Sequence, residues 1–356
     1  RQRRGNGARS RAHQQIAVLV EQLALEEGDR DRAISESKKA TVLDPEHLEA
    51  WSVYVDACLP AGAPVSMKDG ARALAAIKKI VAVDPTRMDM WVRGGRLMAD
   101  ELGMLHDALH WWQACRNVAP DEVTPVVEIA SILADMGEYA EAQVRLQSIL
   151  DDNMDVGMTQ FRKINSLLQL VKAAAAQQQQ DIFRPNEKHH DGWHAIRQKM
   201  TKPPISENTL FLITAVPVLL ILIILLQRVR GPSLNITTLC FNTLMILIVI
   251  LVCIRNAKRW FQLINRPAFN LLRAMNFEAS TGYTVIEEEI RTSVLYVFIM
   301  QRKPVAWQER MLKIIDKGTP LPKNWKMRMP NFDSHVDSEG SIPIEEEPSL
   351  DPYEEE

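Results

Sequence analysis

The stretch "WVRGGRLMADELGMLHDALHWWQACRNVAP", residues 91–120, contains a pattern that recurs through the first part of the chain. The pattern is a small residue followed twelve positions later by a proline. This spacing joins three pairs of residues: Ala33 and Pro45, Ala73 and Pro85, and Ala108 and Pro120. A fourth alanine, Ala142, has Met154 at the corresponding position. The alanines lie 40, 35 and 34 residues apart, which predicts a 34-residue period with insertions of six residues and one residue in turns.

The recurring residues suit a stack of paired helices. An alanine allows the second helix of a pair to approach the first closely, and a proline ends that second helix. Gly28 and Gly137 lie five residues before their alanines, where the turn between paired helices favours a residue that tolerates positive φ. Trp51 and Trp91 each open the following helix and are large enough to seal the contact between neighbouring pairs.

These residues resemble the tetratricopeptide repeat family, and the resemblance covers residues 14–156. The third repeat matches best, with family-type residues at five positions: Trp91, Gly95, Ala108, Trp112 and Pro120. The close-packing glycine of the family is replaced by Glu21 in the first repeat and Val55 in the second, so these two repeats depart from the pattern. The resemblance implies an all-α solenoid of four helix pairs. A generic antiparallel helix stack is the alternative.

In this family the first helices of successive repeats line a groove that binds a peptide or a partner helix. The resemblance places seven residues of this chain in that groove: Glu49, Ser52, Asp56, Asp89, Arg96, Thr124 and Ser131. Their charges are mixed. The lining lacks the lysine and asparagine set with which some family members hold a C-terminal carboxylate.

The segments around the repeats have simpler compositions. Residues 1–13 form a basic segment, typical either of the remnant of a targeting peptide or of a solvated linker. Residues 157–180 contain an apolar stripe at helical spacing, which predicts a helix that caps the stack. Residues 181–209 are polar and contain prolines, so we expect a linker with some flexibility.

Residues 210–254 predict a two-helix transmembrane hairpin. Leu210–Leu226 is 17 residues without a charge, and Ile236–Ile254 is 19. At ~1.5 Å per residue these segments reach roughly 25 and 28 Å, close to the thickness of a hydrocarbon core. Lysine and arginine are more frequent outside the two segments than in the loop between them, so both flanking parts are expected in the cytosol. The inverted arrangement is the alternative.

Two polar residues of the second segment, Thr238 and Asn242, are candidates for packing against a neighbouring helix. Neither segment contains an ionisable acidic or basic side chain, which argues against transport by this chain alone.

Residues 255–332 begin with cations interleaved with aromatic and aliphatic residues, a pattern typical of an interfacial helix on anionic lipids. Packing against a partner membrane subunit is the alternative. Within this region, "TSVLYVFIM" at residues 292–300 suits either a strand or a helix. Residues 333–356 hold ten acidic residues and no lysine or arginine, which predicts a disordered acidic tail.

Two histidine motifs are candidate metal sites. "HDALH", residues 106–110, has the spacing of a zinc-protease helix but lacks the glutamate, and Ala108 occupies a packing position. "HHDGWH", residues 189–194, suits a solvated linker or a pH-sensitive patch better than a specific metal site. We therefore expect no metal, no cofactor and no enzymatic activity. The basic residues form no stripe interleaved with aromatics, so nucleic acid is not an expected partner.

The sequence thus predicts a membrane-anchored scaffold or adaptor whose repeats bind protein and assemble a complex, with membrane lipids as a further partner. The alternative is an accessory subunit of a membrane enzyme, secretion or transport complex, whose hairpin packs against other membrane subunits.

Overall fold

A computed structural model describes residues 29–60, 62–152, 154, 156–177, 181–229 and 236–334. Across these residues the regular structure is helical, with an isolated bridge between Thr284 and Pro320 and no strand, which confirms the all-α class. The predicted basic segment, the first part of the first repeat and nearly all of the predicted acidic tail lie outside the described residues. Contacts divide the chain into two compact units: Arg1–Ile182, Glu278–Thr284 and Pro304–Glu356 form the first unit, and Phe183–Phe277 and Val285–Lys303 form the second.

The first unit is built mainly from consecutive helices, each packed against the next. Their bounds are α1 Arg30–Leu43, α2 Leu48–Cys58, α3 Met67–Val83, α4 Met88–Arg96, α5 Leu105–Val118, α6 Val123–Met136, α7 Tyr139–Asp151 and α8 Met158–Ala175. A π-helical segment, Leu97–Glu101, continues α4. The second unit contains α9 Asp191–Lys199, α10 Glu207–Val229, α11 Ile236–Ile264, most of α12 Arg266–Thr281, α13 Glu288–Arg291 and α14 Val294–Met300. Helix α15, Val305–Lys317, returns to the first unit and packs on α3.

The prolines of the repeated spacing mark helix ends in the first unit. Helices α1, α3 and α5 each stop two residues before a proline of the repeated spacing. After two of these prolines, a tryptophan indole nitrogen donates to the proline carbonyl: Trp51 Nε1 to Pro45 at 2.8 Å and Trp91 Nε1 to Pro85 at 2.9 Å. These bonds satisfy carbonyls in the turn and hold the start of the next helix against it.

The four alanines of the repeated spacing are buried completely. Each has 0 % of its surface exposed: Ala33, Ala73, Ala108 and Ala142. Their side chains lie where consecutive helices touch, so a larger residue would separate the helices.

Helices α4 and α5 approach most closely at two glycines. A Cβ added to Gly94 would lie 2.7 Å from Trp111 Cζ2, and one added to Gly95 would overlap the indole of Trp112. Trp112 is 1 % exposed, and Trp111 Nε1 donates to the Trp91 carbonyl at 2.8 Å. The two indoles therefore pack directly on the backbone of α4.

The 35-residue spacing between Ala73 and Ala108 is accommodated inside a helix. In the π-helical segment the amide of Leu102 donates to the carbonyl of Leu97 at 3.0 Å, a bond that spans one residue more than in an α-helix. Helix α2 ends at Cys58 and α3 begins at Met67. Gly103 follows the π-helical segment at φ +69°, and a side chain there would overlap Trp307 of α15.

The predicted linker contains ordered structure. Phe183 and Trp193 are 2 % and 4 % exposed, and their rings meet edge to face at 5.1 Å. Arg197 of α9 pairs with Glu287 at 2.7 Å, within the second unit. "TSVLYVFIM" proves to be helical from Val294, because Ser293 caps α14 by accepting from the Tyr296 amide.

Gly95→Ala is expected to destabilise the first unit by roughly 1–3 kcal/mol, because the added methyl group forces the buried Trp112 indole away from α4. The thermal unfolding midpoint of the purified full chain in detergent, followed by tryptophan fluorescence, measures this. Gly157→Ala is the control, since a Cβ there meets only Gln160 Oε1 at 3.8 Å. It should cost less than about 1 kcal/mol. Equal midpoints for the two variants would contradict the proposed contact.

Candidate functional site

The seven groove residues expected from the resemblance lie on the first helices of three consecutive helix pairs. Helix α2 carries Glu49, Ser52 and Asp56, helix α4 carries Asp89 and Arg96, and helix α6 carries Thr124 and Ser131. The four charged residues are exposed, and the three hydroxyl residues are half-buried. We call these seven residues, together with their ion-pair partners Arg93 and Glu128, the charged face.

Two ion pairs link the charged face from helix to helix. Asp56 of α2 pairs with Arg93 of α4, and Arg96 of α4 pairs with Glu128 of α6 at 3.7 Å. Asp89 pairs instead with Arg87 at the start of its own helix, at 2.8 Å, and this contact lowers the pKa of Asp89. The partners on α2, α4 and α6 therefore lie within ion-pair distance along one side of the stack.

Arg93 and Glu128 were not among the residues expected from the resemblance. Their spacing could have indicated that they share a helix face with the expected residues. Arg93 lies one helical turn before Arg96, and Glu128 lies between Thr124 and Ser131 on the same helix. The pairing itself joins residues 37 positions apart in the case of Asp56 and Arg93, and no local pattern reports such a contact. Because both pairs are largely exposed, each stabilises the fold by only ~0–1 kcal/mol.

The second candidate site is the pair of apolar helices in the second unit. Glu207–Gln227 and Leu239–Ile264 are each long and apolar enough to cross a membrane, and the two helices pack against each other. Just beyond them, Asn265 makes two hydrogen bonds to one residue. Its Nδ2 donates to the Ile205 carbonyl at 2.8 Å, and the Ile205 amide donates to its Oδ1 at 3.0 Å. Asn265 is only 3 % exposed, so these bonds satisfy one N–H and the carbonyl oxygen of its side-chain amide in a buried place.

Of the two packing residues expected in the second apolar segment, the structure describes the side chain of one, Asn242. Asn242 is half-buried on α11, and no described residue hydrogen-bonds to its amide. The side chain of Thr238 lies outside the described part of the chain. Sequence reasoning missed Asn265, which looked like one polar residue within a basic, aromatic stretch.

The two histidines of the "HDALH" motif lie in different environments. His110 is exposed, whereas the backbone amide and Nδ1 of His106 both contact the Ser280 hydroxyl within the first unit. The other ring nitrogen, Nε2, is buried and has no hydrogen-bond partner among the described residues. Burial and the nearby His110 lower the pKa of His106 to about 4.

The "HHDGWH" motif caps a helix. His190 Nδ1 accepts from the Gly192 amide at 2.9 Å, and the ring packs edge to face on Phe183. His194 contacts Gln198 on the next turn of α9. Among the residues that the structure describes, no group of three or more histidine, cysteine, aspartate or glutamate side chains is arranged to hold a metal ion.

Comparison with known protein families finds no match for this chain, and comparison with curated proteins finds none either.

The stability of the first unit is expected to fall as the pH drops from about 6.5 towards about 4. His106 binds its proton more weakly in the folded than in the unfolded chain, so the unfolded state takes up more protons in this window. The loss amounts to roughly 2–3 kcal/mol at the acid end. Denaturant unfolding of the full chain in detergent, repeated across this pH range, measures it.

His106→Asn should remove this part of the pH dependence, while His189→Asn, at an exposed histidine, should keep it. A wild-type chain and a His106→Asn variant with the same pH dependence would show that His106 is not buried in its neutral form.

Proposed function

We propose that this chain is a membrane-anchored scaffold in which four tetratricopeptide-like repeats bind a partner protein through the charged face. The observation that carries the proposal is the alignment of Asp56, Arg93, Arg96 and Glu128 along three consecutive first helices. Three packed helices present an extended surface, and its mixed charges suit a partner segment that carries both signs.

Several packing features support the tetratricopeptide resemblance. The small-residue positions are fully buried, the second helices end before the repeated prolines, and Trp112 packs on Gly95 at the close-approach position of the third repeat. A generic helix stack does not require these residues to recur at one spacing.

The hydrogen bonds of Asn265 support a hairpin in the membrane. Ile205 lies just before α10 and Asn265 just after α11, so these bonds tie the beginning of the first apolar helix to the end of the second. Since the two helices also pack along each other, an antiparallel pair follows. Exposed cations and Trp260 at the end of α11 suit the headgroup region of an anionic leaflet.

In this proposal the chain acts by binding and not by catalysis. The second candidate is an accessory subunit of a larger membrane assembly, and Asn242 favours it. A half-buried amide inside an apolar span gains most from a hydrogen bond to a neighbouring helix, and no described residue of this chain supplies one.

Reversing two charges on the charged face should reduce the assembled complex at least tenfold. The variant combines Asp56→Arg with Arg96→Glu, which places like charges against Arg93 and Glu128 and against a complementary partner. Native gels and cross-linking with mass spectrometry, applied to gently extracted membranes, measure the complex.

Two further variants make this result specific. Asp31→Arg combined with Lys78→Glu reverses one charge of each sign on exposed positions of second helices and should leave the complex intact. Asn242→Leu separates the two candidates. If it disrupts the complex while the charged-face variant does not, the accessory-subunit proposal replaces the scaffold proposal.

The hairpin proposal makes its own prediction about membrane sidedness. In a Cys240→Ser background, cysteines introduced at the exposed positions Lys188 and Asp316 should react with an impermeant maleimide from the cytosolic side. A cysteine at Ser233, between the two apolar segments in the sequence, should react only from the opposite side. Labelling of Lys188→Cys and Asp316→Cys from opposite sides would exclude a hairpin.

A further inference from the structure

The end of the described chain lies on the second helices of the stack. Residues Met329–Ser334, the docked segment, follow a stretch without helix that begins after Lys317. Phe332 is 7 % exposed and joins the main apolar core of the first unit, and Met329 packs against the same core. Most of the chain between α15 and the docked segment is exposed, including Lys323 and Lys326. Upstream of the docked segment, Thr319 accepts from the Thr284 amide at 2.8 Å and Trp325 meets His106 edge to face, so the docked segment adds its own contacts to these.

Its backbone is recognised by two buried polar side chains of α5. Gln113 Nε2 and Arg116 Nη1 both donate to the Phe332 carbonyl, at 3.4 and 3.3 Å, and each of the two side chains belongs to a residue only 3 % exposed. A buried guanidinium is costly unless its hydrogen bonds and charge are compensated. The Phe332 carbonyl, in a turn of the docked segment, supplies this guanidinium with one hydrogen-bond acceptor.

The side chains of the docked segment are recognised by α5 and α7. Arg145 of α7 pairs with Asp333 at 2.8 Å, and its guanidinium carbon lies 5.4 Å from the centre of the Phe332 ring. Ser334 Oγ accepts from Gln113 Nε2 at 3.2 Å, and its one proton is shared between Asn117 Oδ1 at 3.2 Å and the Asn331 carbonyl at 2.9 Å. An aromatic residue, an acidic residue and a hydroxyl residue in succession thus each meet a matching group.

The recognition is incomplete in one respect. Gln113 Oε1 and Arg116 Nε are buried, and neither atom has a hydrogen-bond partner among the described residues. One is an acceptor and the other is a donor, and both belong to the side chains that hold the Phe332 carbonyl. A buried polar atom without a hydrogen-bond partner destabilises the complex that contains it. A peptide that reached these two atoms would bind better than the chain's own segment.

We propose that the surface formed by Gln113, Arg116, Asn117 and Arg145 is a second protein-binding site, and that it receives a partner peptide that forms a turn, with an aromatic residue followed by an acidic and a hydroxyl residue, as Phe332–Ser334 does. The chain's own Phe332–Ser334 occupies this α5–α7 site in cis, and the partner binds by displacing it. The site lies on second helices and shares no residue with the charged face.

A labelled synthetic peptide with the sequence of Met327–Ser334, MRMPNFDS, is the probe. Fluorescence anisotropy measures its binding to the full chain in detergent. Asp333→Ala removes the ion pair to Arg145 but alters a side chain that is 72 % exposed, so the core is retained. We expect the Asp333→Ala chain to bind the probe about two- to fivefold more tightly than the wild-type chain, because the competing cis segment loses a partly exposed ion pair.

A charge exchange tests which residues hold the probe. Adding Arg145→Glu to the Asp333→Ala chain should abolish binding of MRMPNFDS, and a probe with arginine in place of its aspartate should restore it. Arg162→Glu, the same change at an exposed position of α8, is the matched control and should leave binding unchanged. Restored binding also shows that the Arg145→Glu chain is folded.

Three outcomes would overturn the proposal. They are equal binding to the wild-type and Asp333→Ala chains, binding unaffected by Arg145→Glu, and equal binding of a probe with alanine in place of phenylalanine. The Asp56→Arg, Arg96→Glu variant should bind the probe normally, so a failure of the charged face and a failure of the α5–α7 site are distinguishable.

Discussion

The contact between two glycines of α4 and two indoles of α5 is the constraint on which the first unit depends. Gly94 and Gly95 have no side chains to hold Trp111 and Trp112 away, so the indoles lie on the helix backbone. The same contact orients the flanking residues. Arg93 and Arg96 stand on the other side of the helix, where they pair with α2 and α6 respectively. Four consecutive residues, "RGGR", therefore determine both the packing of the stack and the arrangement of charge on its exposed face.

The sequence predicted the parts of the fold that depend on local spacing. The alanine-to-proline interval located the ends of α1, α3 and α5, and uncharged length located the two apolar helices. These features follow from periodicity and backbone chemistry, which act within one or two helical turns. The positions of the charged residues on α2, α4 and α6 came instead from the resemblance to the tetratricopeptide repeat family, which did not indicate their partners.

What the sequence did not predict depends on contacts between distant residues. The alanine spacing did not indicate the π-helical segment, in which Leu97 and Met98 are buried in the core. Phe332 meets residues of α5 more than 200 positions earlier, and Asn265 meets Ile205 across 60 positions. A single phenylalanine or asparagine carries no periodic signal, so its burial becomes evident only when the remote surface is known.

Several contacts between distant residues are of one kind. In each, a polar side chain hydrogen-bonds to a backbone N–H or C=O group that has no partner in a helix. Arg30 donates to the carbonyls of Ala57 and Cys58, Gln113 and Arg116 donate to Phe332, and Asn265 binds both backbone groups of Ile205. The described chain has no sheet in which irregular segments can pair. Where the partner's backbone is buried, as at Ala57, Cys58 and Phe332, such a side chain has a larger effect than its own bonds suggest, since an apolar replacement leaves the carbonyl unsatisfied.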